Sequence, residues 1–291
     1  MMLYSVRKGV AVAPFLLAFG LACMAGPQAQ QDSNPRPSLR QPGSQPQQQP
    51  ASNPGAPGQP PQATPAGQPE APKLNPQEEA DYKALYDTDN ADKKIQLSQD
   101  FLQKYPDSVY TMSVYDELAN AYYFKHDWNN LYATGDKVAA KYPADVDVLI
   151  LVGWVIPHFY DEKDPDAAKK LAKAEMYEKH AIQVIPLLPQ PPGVSDDQFA
   201  ATKMQKLSQA HGALGLVYFW RQDYDDSVKE LQQATQPDAT DYYVLAMSEE
   251  KLKRFADAAD SFQKCGQTAG TLQDHCKQGA NRARGEVAQP K

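Results

Sequence analysis

The chain has 291 residues, of which 42% are apolar and 22% charged, and a formal net charge of −7 at pH 7. Up to Pro76 the balance is positive by three (Arg7, Lys8, Arg36, Arg40 and Lys73 against Asp32 and Glu70), so the remainder carries a net charge of −10. An acidic body without a basic stripe excludes nucleic acid as a partner, because neutralising phosphates takes clustered Lys and Arg.

The first 29 residues read as a signal peptide. Arg7 and Lys8 precede an apolar run, Val10 to Ala25, with no charge until Asp32. That run falls short of the roughly 20 residues a spanning helix needs, so the membrane is expected to matter only through the signal or a lipid anchor. Two processing routes stand open. "GLAC" at Gly20 to Cys23 is similar to a bacterial lipoprotein box with Gly in place of Leu, which would lipidate Cys23. Otherwise cleavage follows Ala25 or Ala29, and either route exports the protein to the periplasm or cell envelope.

Residues 30–76 read as a disordered Pro/Gln-rich linker. From Pro27 to Pro76 the chain holds 14 of its 25 prolines and almost no large apolar residue. Such a stretch cannot bury enough surface to offset its ordering entropy.

From residue 77 a period emerges. Tyr115, Leu118, Ala119 and Tyr122 are spaced zero, three, four and seven, and the spacing recurs at His211, Leu214, Gly215 and Tyr218 and at Tyr242, Leu245, Ala246 and Glu249. Each set lies on one helix face, and the Gly or Ala lets a neighbouring helix come close. Twelve residues on, a second helix begins: Ser227, Leu231 and Ala234 in one unit, Ala258, Phe262 and Cys265 in the next. Leu131, Gly135 and Val138 supply the second helix of an earlier unit. "KYPDS" at Lys104 to Ser108 is echoed by "KYPAD" at Lys141 to Asp145, where Pro ends one unit and opens the next.

These positions resemble the tetratricopeptide repeat (TPR) family across residues 77–270, in about five units, with residues 271–291 as a capping helix and tail. The resemblance implies an all-α fold, a right-handed superhelical solenoid of antiparallel helix pairs, in which each unit buries its apolar faces against neighbours. The "KYP" units are also similar to those of repeat proteins of outer-membrane assembly and envelope division.

The resemblance further implies a concave wall built from the first helix of each unit. Carried over position by position, that wall holds Asp116, Asn120 and Tyr123, then Trp154, then Leu216, Phe219 and the adjacent Trp220, then Tyr243 and Met247. Aromatics on a concave face suit capture of an extended peptide or helix. The same side chains also suit the filling of a tight superhelix. The Lys and Asn clamp for a C-terminal carboxylate is absent at the matching positions, where Asp116, Asn120 and Gly212 stand.

Cys265 and Cys276 form an isolated pair in an exported chain, which points to a disulfide between the last repeat helix and the cap. The alternative is that Cys265 is a small buried residue at the repeat's Ala position. The spacing fits neither a metal knuckle nor a redox dithiol, and the five His stand apart, so no metal and no cofactor is expected. No phosphate-cradling Gly loop, nucleophile elbow or zinc-protease signature occurs, so no residue is assigned to catalysis.

The sequence thus points to an exported, non-catalytic scaffold or adaptor that binds another envelope protein or peptide segment, with self-association open. The alternative is a ligand-binding protein or enzyme with an apolar pocket between the long helix 195–219 and the third repeat.

Overall fold

The computed structural model describes residues 75–288. The signal segment with Cys23, the Pro/Gln-rich linker up to residue 74 and the last three residues lie outside that range.

The described residues form eleven α-helices: α1 (Pro76–Tyr86), α2 (Ala91–Lys104), α3 (Thr111–Phe124), α4 (Trp128–Lys141), α5 (Asp147–His158), α6 (Ala167–Val184), α7 (Asp196–Trp220), α8 (Tyr224–Leu231), α9 (Ala239–Lys251), α10 (Phe255–Gln267) and α11 (Gln273–Val287). The helix starts follow from side-chain caps. Asn75, Asn90 and Asp127 each accept a hydrogen bond from an N–H of the first turn, and Ser195 and Asp238 form full capping boxes with Gln198 and Asp241. Composition had assigned Pro76 to the linker; it is the first residue of α1, where a missing N–H costs nothing.

Consecutive helices pack as pairs, α1 with α2 through α9 with α10, and each pair packs on the next; α11 closes on α10. The first helices also meet side by side, α3 with α5, α5 with α7 and α7 with α9. This is the packing of a TPR-like helical solenoid. Its regularity shows in the turns within pairs. His126, Gln222 and Lys253 hold equivalent places with φ of 55°, 64° and 60°. In each turn the following residue donates back to the helix, Asp127 N–H to Tyr122 O, Asp223 N–H to Tyr218 O and Arg254 N–H to Glu249 O. Such left-handed residues close a helix by satisfying its last carbonyls.

Among the described residues five apolar clusters hold the units together. The largest surrounds α5, nearly all of whose residues from Val148 to Pro157 are buried, as an apolar helix with neighbours on every side requires. Gly215 does what its position predicts: a Cβ there would lie 2.5 Å from Leu231 Cγ, so only a residue without one lets α7 and α8 meet. At the far end Phe262 is fully buried between α10 and α11, and Cys265 and Cys276, both inaccessible, form a disulfide with Cα atoms 5.7 Å apart.

Two details differ from the sequence reading. α8 ends at Leu231, three residues before Ala234, which is buried in the loop that leads to Pro237. The interface where the alternative reading placed a pocket, between α7 and the third pair, is filled by Val146, Ile150, Ala181, Ile185 and Ala210. A cleft of about 360 Å³ lies elsewhere, between α10 and α11, over Phe262 and Ala280 and beside Lys277 and Arg284.

Candidate functional site: the wall of first helices

Side-by-side packing of α3, α5 and α7 brings together charges that are far apart in sequence. Asp116 of α3, Asp145 in the loop before α5 and Asp147 at the start of α5 have carboxylate oxygens within 4.8 Å of one another. Asp116 and Asp145 are buried, and Lys206 of α7, only 8% exposed, donates from Nζ to Asp147 Oδ1. Lys206 thus brings an ammonium to a cluster of three carboxylates. Such oxygens are the donors a hard cation takes. Lys206 Nζ already stands beside Asp147, however, and an ammonium there repels a divalent ion.

Asn120, one turn beyond Asp116, turns its Nδ2 back to donate to Asp116 O at 2.6 Å. Tyr123, half-buried, sets its ring edge-on to Trp154 with centroids 6.3 Å apart, linking α3 to α5. Trp154 stacks on His158 at 3.9 Å, and His158 Nδ1 pairs with Trp154 O at 2.7 Å, which requires the proton on Nδ1. Burial pushes the His158 pKa down to about 4; the Trp154 carbonyl and the Asp238 charge act the other way. Asp241 lies against Gly212 of α7, and burial, then the neighbouring charge of Asp238, raise its pKa.

Asp116 with Asn120, and Tyr123 with Trp154, therefore stand along the same pair of first helices, and the other expected wall residues part from them. Leu216 is a correction: at 3% exposure it is core, packed with Val228, Leu231, Val244 and Leu245, because α8 and α9 close over that face of α7. Tyr243 meets the buried Phe262 edge-on and Met247 packs on the same α9–α11 cluster, so both serve packing. Phe219 and Trp220 stand at the end of α7, where Trp220 stacks on Tyr160 at 4.9 Å and donates from Nε1 to Pro157 O at 2.8 Å.

Sequence reasoning missed Asp145, Lys206 and His158 as members of this region. Asp145 reads as a turn residue after Pro143, and Lys206 is 59 positions from its partner. Repeat register, with Lys206 one turn upstream of Ala210 on the first helix, is the only signal that could have placed it.

No family model matches the sequence, and no curated protein does. Among solved structures the chain is similar to a thermophilic TPR protein of Thermus thermophilus, with 17% identity over 73% of this chain and all of that one and a TM-score of 0.44. At that distance the helix pairing itself, and not the relative, defines the fold. No helix among the described residues is long and apolar enough to cross a membrane.

Proposed function

We propose that this is an exported helical-repeat adaptor of the cell envelope, which holds a segment of another protein on the wall formed by α3, α5 and α7. The observation that carries the reading is that α3 and α5, packed side by side, bring together Asp116, Asp145 and Asp147 and, two turns further along, the Tyr123–Trp154 pair. Stacked first helices give a rigid surface, and aromatic rings beside carboxylates bind with area and with charge at once. A segment bearing Lys or Arg beside an apolar residue suits that wall. Export rests on Arg7, Lys8 and the apolar run to Ala25. A helical-repeat fold favours a protein-interaction role.

The test is affinity capture of the full chain from its native cells, with partners identified by mass spectrometry, for the natural protein and an Asn120→Ala/Tyr123→Ala variant. Loss of a defined partner with helicity and melting unchanged supports the reading. The same partners in both samples contradict it.

A further inference from the structure

A second surface lies on the edge where the first helices end. Phe124 closes α3, Phe159 follows α5 and Trp220 closes α7, and they are 56%, 47% and 37% exposed. Large aromatics on a repeat protein belong in the core, so exposure at the same edge of three successive units is not a packing requirement. The rings fall into two neighbouring groups: Phe124 reaches Trp128 through Tyr123 and Trp128 lies 4.7 Å from Phe159, while Tyr160, the next residue, stacks on Trp220, which meets Phe219 edge-on. Together they make an aromatic ledge across the second, third and fourth helix pairs.

The rim of this ledge is acidic. The turns 124–128, 159–166 and 220–226 carry eight carboxylates against three cations. Two of those cations are already engaged, Lys125 with Asp92 and Arg221 with Glu175, and two of the acids are as well, Asp164 with Lys170 and Asp226 with Lys229. A ridge of aromatics with acids beside it recognises prolines, which lie flat on rings, interleaved with arginines, which stack on rings and pair with carboxylates.

The chain itself carries such a segment. Residues 34–42 read "NPRPSLRQP", and Arg36 and Arg40 are the only Lys or Arg between Pro27 and Pro72. From Pro42 to Asn75 the connection is 33 residues, which can span at most about 100 Å. The ledge lies within that range: α1 is about 16 Å long and successive helices pack about 10 Å apart. A tether of this kind gives an effective concentration of about 1 mM, so even a millimolar intrinsic affinity keeps the segment docked about half the time.

We infer that residues 34–42 dock on the aromatic ledge of the same chain, with their prolines against Phe159 and Trp220 and Arg36 and Arg40 at the acidic rim. The ledge adjoins the wall of first helices at Tyr123, whose ring lies beside Phe124 and Trp128, and the inference stands without a partner on the wall. Docking makes the ledge available to a second proline- and arginine-bearing segment only by exchange.

The test uses the full chain with a photo-reactive benzoylphenylalanine at Leu39, illuminated at low concentration and mapped by mass spectrometry. An equal mixture of isotopically heavy and light chains separates links within a chain from links between chains. A matching probe at Ala51 is the control, since it has the shorter tether and no flanking arginine. The expected result is a link from residue 39 to peptides of the ledge within one chain, weak from residue 51 and lost in Arg36→Ala/Arg40→Ala. Links of equal yield and scatter from both probes would overturn the inference. So would links only between chains, which would make a second copy the occupant, or links only to a foreign protein.

Discussion

Glu178 of α6 sets its carboxyl against the backbone of Gly153 in α5, so closely that a Cβ at residue 153 has no room. The contact locks the third helix pair at its most buried point. Gly153→Ala gains helix propensity of about 1 kcal/mol, but overpacking costs about 1–3 kcal/mol and leaves a net loss in urea unfolding. Adding Glu178→Ala removes the obstruction. The double variant is then more stable than the single losses sum to, by a coupling of about 0.5–3 kcal/mol.

Glu178 is fully inaccessible and neither carboxyl oxygen has a hydrogen-bond partner. Burial raises its pKa well above the ordinary value of 4.5. The sign follows from linkage: above pH 4.5 the unfolded chain has released this proton and the folded chain keeps it. Its contribution is therefore fully present at low pH and falls by up to about 1.4 kcal/mol per pH unit until the folded value is reached. Glu178→Gln cannot ionise, so melting measured from pH 5 to 8 loses this downward slope and the variant is the more stable at pH 8. His158 acts oppositely, losing stability as pH falls from 6.5 towards about 4, and that slope remains in Glu178→Gln.

Lys206 answers the Asp116, Asp145 and Asp147 cluster from α7, and its pairing with Asp147 is largely shielded from solvent. Removing one member of a buried pair strands the other. Lys206→Met is expected to cost about 3–5 kcal/mol in urea unfolding, and Asp147→Asn in the same chain to recover part of it.

How much of this was legible in the sequence depends on distance along the chain. The spacing of Tyr115, Leu118, Ala119 and Tyr122 marks α3, and Gly215 marks the close approach to α8, because helical period and residue size are local. Cys265 and Cys276 pair as expected across eleven residues. The wall was only half legible. Repeat position says which residues face inward from an ideal unit, and for Tyr123 it selects a half-buried residue on a first helix. It fails for Leu216, which α8 and α9 cover, and for Tyr243 and Met247, which the α10–α11 cap draws into packing. It also has no means of finding Glu178 or the ledge at Phe124, Phe159 and Trp220, since these depend on how successive pairs are set against each other.

The disulfide closes a loop of eleven residues between α10 and α11. Cys265→Ala/Cys276→Ala is expected to lower stability by about 3 kcal/mol in the chain-entropy account. Hydrogen exchange then rises first in α11, whose Cys276, Ala280 and Ala283 belong to the cluster around Phe262, while α3 to α6 keep their protection.

The central claim, that the wall of first helices is the binding face, is tested most directly by photo-crosslinking in the native cell. Benzoylphenylalanine replaces Tyr123 on the wall in one strain and Met176, 56% exposed on α6, in another. The account predicts a defined adduct to a second protein from position 123 and none from position 176. The same adducts from both positions, or an adduct from 176 alone, would contradict it.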